Sequence, residues 1–247
     1  MSTDLTGQVA VITGAAAGIG QAIATHLAER GARIAGVDIA PALAGAIAEL
    51  PGEGHRAVSA NIADAAEAAE AVSRIDTELG TPRILVNSAG IGRFAPAEDL
   101  AAKDWSSTLA VNLSGSFFMA QAAGRVMLEA GYGRIITIAS QAAEIGLAEH
   151  AAYSASKAGV LGFTRVLAVE WAGRGVTINT VSPTIADTAL AREIWVGEKG
   201  ETARAQIPAG RFVAPDEIAS LVTFLASEES AMITGEDVRI DGGRAVI

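Results

Sequence analysis

Tyr153 and Lys157 are four residues apart in the 247-residue chain. On a helix that spacing puts both on one face, with Cβ atoms roughly 5–6 Å apart. A cation that close to a phenol favours the phenolate, and a phenolate is a base. Upstream stands Ser140, a hydroxyl donor at the end of an apolar, strand-like run over 134–139. A second set of residues suggests what such a base would serve. Gly14, Gly18 and Gly20 lie in GAAAGIG between an apolar run over 8–13 and a helical pattern that stops at Gly31. Glycines there permit a tight turn and let backbone N–H groups and a helix N-terminus approach a diphosphate. Asp38 closes the next apolar run, 18 residues after Gly20. An acid at that place accepts hydrogen bonds from adenosine ribose hydroxyls and repels a 2′-phosphate. No basic residue occupies 39–45, so the pattern points to NAD rather than NADP.

Composition removes other chemistries. With no cysteine there are no disulfides, thiolate nucleophiles or thiolate metal sites, and His26, His55 and His150 show no ligand spacing. No metal is expected. The net charge of −10, from 18 basic and 28 acidic residues, argues against nucleic acid, whose phosphates need a basic face. No apolar run approaches the ~20 residues of a membrane helix, and the N-terminus shows no basic-then-apolar leader. A soluble, cytoplasmic protein is expected.

The elements that must position these residues alternate. Strand patterns at 8–13, 33–38, 55–60, 83–87, 134–139, 176–182 and 238–241 are separated by helical ones, including a long helix over 104–130 and another over 151–172. The expected fold is α/β: a single-domain, Rossmann-type, doubly wound sheet of about seven parallel strands with helices on both faces. The whole chain, 1–247, reads as one domain, with a nucleotide-binding half at about 1–130 and a catalytic half at about 131–247 that carries a lid near 186–210. Ligands in such sheets sit at the carboxyl ends of the strands. Gly14, Asp38, Asn61, Asn87, Ser140 and Ser182 all fall there.

With those residues in place, the sequence resembles the short-chain dehydrogenase/reductase family over nearly its whole length. The family's TGxxxGxG turn stands as Thr13 to Gly20, its NNAG element as Asn87-Ser88-Ala89-Gly90, its Asn as Asn112, and its Ser and YxxxK as Ser140, Tyr153 and Lys157. The resemblance implies catalysis by Tyr153 as proton acceptor, Ser140 holding the substrate oxygen, Lys157 reaching the nicotinamide ribose, and Asn112 holding a water that links Lys157 to solvent. It implies cofactor contacts from Gly14, Gly18, Ile19, Gly20, Asp38, Ile39, Asn61, Ile62, Asn87, Ala89, Gly90, Tyr153, Lys157, Pro183, Ala186 and Thr188. Two departures stand out: Asn61-Ile62 replaces an acid before an apolar residue, and Pro183-Thr184 replaces Pro-Gly.

The variants Gln141, His150, Pro183-Thr184 and Trp195 resemble the branch of xylulose reductases and polyol dehydrogenases. That branch implies an NAD-dependent interconversion of a sugar alcohol and its ketose. Gln141 and His150 would bind hydroxyls, and Trp195 would cap the substrate from the lid. The alternative is a 3-oxoacyl-thioester or hydroxysteroid reductase on the same scaffold, and a different class is an NAD-binding protein without catalysis. Small residues at Ala155, Ala158, Gly159 and Gly162 and an apolar stripe at Leu109, Leu113 and Phe117 suggest helix pairing. Family members usually pair this way, which implies a homo-oligomer, dimer or tetramer.

Overall fold

The computed structural model describes residues 4–246. Residues 1–3, which belong to the N-terminal stretch read above for a leader, and Ile247 lie outside the described residues. Seven strands form one parallel sheet in the order β3-β2-β1-β4-β5-β6-β7. They are β1 (Val9–Thr13), β2 (Arg33–Asp38), β3 (Arg56–Ser59), β4 (Pro82–Asn87), β5 (Gly133–Ile138), β6 (Val176–Pro183) and β7 (Asp237–Ile240). The order reverses at β1, whose neighbours are β2 and β4, so a crevice opens there at the carboxyl ends.

Strand alternation feeds two cores. Ala10 and Ile12, Ile34, and Ile84 and Val86 face one side, where they meet α1 (Gly18–Ala28), α2 (Leu43–Ala48) and α9 (Pro215–Leu225). Val9 and Val11, Val37 and Leu85 face the other, against α3 (Ala65–Leu79), α5 (Ser116–Ala130) and α6 (Ala151–Trp171). Each fully buried Ile or Leu contributes roughly 1.5–3 kcal/mol, so both faces hold the sheet rigid beneath its rim. The remaining helices are α4 (Ala102–Leu109), α7 (Ala189–Ile194) and α8 (Gly197–Ala205). No helix among the described residues is long and apolar enough to cross a membrane.

The helix expected over 104–130 is not one regular helix. It runs as α4, then a π-helical segment over Ala110–Gly115, then α5. The apolar spacing of Leu109, Leu113 and Phe117 reads as continuous α-helix, because a single widened turn leaves side-chain periodicity almost unchanged. Such segments occur mostly at functional sites, and this one contains Asn112. The lid expected at 186–210 is two short helices, α7 and α8. The second carries Gly197 and Gly200 and little apolar periodicity, which is why the sequence pattern does not announce it.

Candidate active site

The first βα turn is locked to the loop after β4. Thr13 Oγ1 accepts from the N–H groups of Ser88 and Ala89, both at 3.1 Å. Gly14 has φ 70°, and a Cβ on it would stand 2.8 Å from the Ala89 backbone. A Cβ on Gly20 would collide with the Gly14 carbonyl oxygen. Gly18, at φ 60°, faces the Thr188 methyl, which a Cβ would meet at 3.7 Å. The start of the lid thus lies over the glycine turn. Ile19 packs against the core below.

The Asp38 carboxylate sits beside this turn. Oδ2 accepts from Ala16 N–H at 3.2 Å and Oδ1 from Ala40 N–H at 3.0 Å. Next to it, Ile39 is exposed. Asn61 is exposed and its Oδ1 accepts from Ala63 N–H at 3.1 Å. Ile62 is buried against Gly115 of the π-helical segment, so its packing role is internal. Asn87 is buried and its Nδ2 donates to Ser116 O at 3.1 Å and Thr137 Oγ1 at 3.3 Å. Gly90 lies where a Cβ would be 3.3 Å from Asn112 Oδ1 and 3.8 Å from Lys157 Nζ.

The candidate catalytic groups do come together. Ser140 follows β5 by two residues and caps the short turn Gln141–Ala143, accepting from Ala142 N–H at 3.1 Å. Its side chain lies near enough to the Tyr153 phenol to favour the ionised form. Lys157 Nζ lies 5.6 Å from the Tyr153 ring centroid and donates to Ile138 O at 2.6 Å. Burial pulls the Lys157 ammonium down to about 8. Burial pushes the Tyr153 phenol above its ordinary value, and the Ser140 side chain opposes that push. The ring keeps partial exposure, so its burial effect is weaker than full enclosure gives. In the chain alone the phenol is therefore raised, against the expectation from a cation four residues away. The Lys157 ammonium is directed at a backbone carbonyl, and burial is the larger influence on the phenol.

Asn112 holds this group to the rest of the rim. Its Oδ1 accepts from Ile91 N–H at 2.8 Å, while Nδ2 donates to Ile91 O at 2.9 Å and Ser156 Oγ at 3.1 Å. Ser156 Oγ in turn donates to Tyr153 O at 2.7 Å. Both side-chain N–H groups of Asn112 are thus bonded to protein, and the residue ties the β4 loop to α6. This leaves little of the side chain for the expected water relay.

Gln141, the residue after Ser140, is buried and its Oε1 has no hydrogen-bond partner among the described residues. Thr184, just after Pro183, is buried with its hydroxyl in the same condition. His150 Nδ1 lies 2.6 Å from Ala148 O. A carbonyl can only accept, so Nδ1 carries the proton and neutral His150 presents Nε2 as an acceptor. Sequence reading passed over Phe94, whose ring stacks on His150 at 4.3 Å between centroids. An aromatic two residues after the Ile91-Gly92 pair gives no periodic signal that could have found it. Ala186 forms a bridge with Val213, with its carbonyl accepting from Thr188 N–H at 2.8 Å. Trp195 lies between α7 and α8, edge-on to Phe212 at 6.4 Å with Lys199 Nζ 4.8 Å from its ring centroid. Its aromatic contact is with the segment between α8 and α9, not with Tyr153 or His150.

Residues 14–245 match the family described as enoyl-(acyl carrier protein) reductase, within the short-chain dehydrogenases. The chain belongs to the short-chain dehydrogenase/reductase family. It is 52% identical over 245 residues to D-threitol dehydrogenase of Mycolicibacterium smegmatis, covering 98% of this chain and 94% of that protein. It is 41% identical to the NAD-dependent glycerol dehydrogenase of Listeria innocua, covering 98% of this chain and 96% of the relative. It is 39% identical to 3-oxoacyl-[acyl-carrier-protein] reductase FabG of Escherichia coli, covering 98% of both. As a short-chain dehydrogenase/reductase the protein is an oxidoreductase acting on CH–OH donors, with a small-molecule substrate.

Proposed function

We propose that this chain is an NAD-dependent polyol dehydrogenase, oxidising a secondary alcohol of a sugar alcohol to the ketose. The observation that carries the reading is the buried, unpartnered Gln141 Oε1 adjoining Ser140. Burying a polar atom without a partner is costly unless a ligand completes it, and a hydroxyl donor beside the reacting one would do so. His150 Nε2 offers a second acceptor. The names of the two dehydrogenase relatives, acting on threitol and glycerol, agree with that demand.

The residues present fit a dinucleotide. The glycine turn offers a surface free of Cβ atoms, and the Asp38 carboxylate retains unshared lone pairs beyond its two backbone bonds. That carboxylate favours the ribose diol of NAD over the 2′-phosphate of NADP. When bound, the nicotinamide accepts the hydride. Within the chain, Tyr153 takes the alcohol proton at its phenolic oxygen, and Ser140 holds the same substrate oxygen as its charge changes. Lys157, cationic at neutral pH, favours the ionised phenol, and Asn112 keeps the β4 loop and α6 in register around it. Asn61, Ile39, Ala89, Gly90, Ala186 and Thr188 line the path along which the dinucleotide would lie.

The second reading, reduction of a 3-oxoacyl thioester, has the Escherichia coli relative in its favour. Against it stands the lid, where Asp187, Arg192, Glu193, Glu198, Lys199 and Glu201 make a poor cover for a long apolar chain. Formation of NADH with D-threitol, glycerol, xylitol, a 3-hydroxyacyl thioester and a hydroxysteroid decides between them. Polyol turnover is expected to dominate; dominance of the thioester would overturn the reading. NADP preferred over NAD, with no change on Asp38→Ala, would overturn the cofactor assignment.

A homo-oligomer belongs to the same reading. Gly159 is small for an internal reason, since a Cβ there would stand 2.9 Å from Leu113. Ala151, Ala155, Ala158, Gly162, Val166 and Val169, however, form an exposed apolar stripe along α6. A second copy would cover it, and a monomer mass in solution would count against the pairing.

A further inference from the structure

Phe94 contributes nothing to either core: it is 51% exposed in the loop between β4 and α4. Its ring is nevertheless fixed in a specific place. It stacks on His150 with centroids 4.3 Å apart and planes tilted by 36°, and stands edge-on to Tyr153 at 5.9 Å. His150 is itself edge-on to Tyr153 at 6.1 Å. Three rings from two elements thus form a corner whose innermost member is the phenol.

Two backbone features hold that corner. Ala95 N–H donates to Glu149 O at 3.2 Å, tying the Phe94 loop to the entry of α6. Glu149 has φ 67°, the one non-glycine positive φ among the described residues, and strain of that kind gathers at ligand clamps. Gly92 supplies the space. A Cβ on it would collide with the Phe94 ring, although its own φ is not positive. Its missing side chain, rather than its backbone freedom, is what lets the ring lie back toward His150.

We propose that Phe94 is a specificity-determining residue. It is the apolar wall against which the C–H edge of a short polyol rests while His150 Nε2 and Gln141 Oε1 accept its hydroxyls. The assignment rests on the polyol reading and deepens it. A carbon chain with a hydroxyl on every carbon has one hydroxyl-rich side and one C–H side. An aromatic face with partial negative charge suits the second, as paired acceptors suit the first. The wall also shortens the space beside Tyr153, so bulkier alcohols are disfavoured.

The test compares wild type, Phe94→Ala, Phe94→Tyr and Gly92→Ala in NADH formation from a tetritol, from xylitol and from 1-phenylethanol. NAD affinity, read by fluorescence, reports that each variant is folded, and the exposure of Phe94 makes loss of fold an unnatural outcome. Phe94→Ala and Gly92→Ala are expected to raise KM for the polyol about tenfold with kcat within about threefold. Phe94→Tyr should retain the wild-type KM, and the relative rate on 1-phenylethanol should rise in Phe94→Ala. An unchanged KM in Phe94→Ala overturns the assignment. So does a fall in kcat alone with a displaced pH profile, which would mean that the ring acts by positioning Tyr153. If wild type turns over no polyol, the polyol reading fails by itself; the KM comparison is then made on the alcohol it does oxidise, where an unchanged KM still overturns the wall.

Discussion

At the glycine turn, polar side chains end on backbone. Thr13 Oγ1 takes two N–H groups, the Asp38 carboxylate two more, and Asn112 both the N–H and the carbonyl of Ile91. At the proposed substrate mouth, on the same sheet edge, Gln141 Oε1 and Thr184 Oγ1 are buried without partners among the described residues, as is Asn87 Oδ1 at the end of β4. His150 Nδ1 is held while Nε2 is not engaged. The turn is complete in the chain alone, and its cofactor meets a finished surface. On the proposed function, the mouth is completed by a ligand. Substitutions in the first region should therefore act on folding and cofactor affinity together, and in the second on substrate alone.

The largest effect expected lies where the two regions meet. Tyr153→Phe removes the proton acceptor and leaves the ring in its corner, so kcat should fall by about 10³. NAD affinity, measured by fluorescence titration, should stay within about threefold. A variant that folds, binds NAD and keeps more than a tenth of its turnover would remove Tyr153 from the chemistry.

Gly14→Ala attacks the finished region. Its Cβ meets the Ala89 backbone at 2.8 Å, and φ 70° is adverse for any side chain. Overpacking against backbone costs about 1–3 kcal/mol, so denaturant midpoint and NAD affinity should fall together. Lys157→Met tests the buried cation that both regions share. Lys157 holds its proton less tightly folded, at about 8, than the ordinary 10.5. Between those values the unfolded chain binds more protons, so wild-type stability should rise with pH from about 8 to 10.5. The cost, roughly 3 kcal/mol, is fully present below that window. Urea titrations from pH 7 to 10.5 should show this slope in wild type and lose it in Lys157→Met.

Gln141→Met sharpens the comparison from the other side. Replacing a buried unpaired amide with an apolar group of similar size should leave stability unchanged or slightly raised. KM for the polyol should rise about tenfold, through loss of one hydroxyl contact. A marked fall in stability would mean that Gln141 is a finished structural group like Asp38, and the contrast would collapse.

How much of this was legible in the sequence follows the same division. The strand-end residues Gly14, Asp38, Asn87 and Ser140 could be read because periodicity places strand ends and glycines mark turns, and Tyr153 because its spacing from Lys157 puts both on one helix face. The π-helical segment at Asn112 was hidden, since one widened turn barely alters the spacing of Leu109, Leu113 and Phe117. Ile62 reads as a cofactor contact by motif, and the packing of its side chain on Gly115 was hidden, because it depends on a neighbour 53 positions away that no local pattern names. Phe94 was missed for a related reason: its position is set by contacts with His150 and by space at Gly92, both tertiary. The direction of the Tyr153 shift was also beyond the sequence, because spacing gives the distance to Lys157 but not the burial that raises the phenol.

Trp195 gives the smallest expected effect and the finest test. The motif variants make it a cap over the substrate, yet its ring is edge-on to Phe212 at 6.4 Å and under Lys199. A residue of the substrate mouth should have an uncommitted face, as His150 has an uncommitted nitrogen. These contacts make Trp195 part of the packing that joins α7 and α8 to the segment before α9, and we expect that role to outweigh any contact with substrate. Trp195→Ala should then loosen the lid without removing a substrate contact, raising KM by about threefold or less, with NAD affinity and kcat near wild type. Amide hydrogen exchange over 189–205 should quicken in the same variant. A rise in KM as large as that of Gln141→Met, with exchange unchanged, would place Trp195 against the substrate and move the lid from the finished region to the unfinished one.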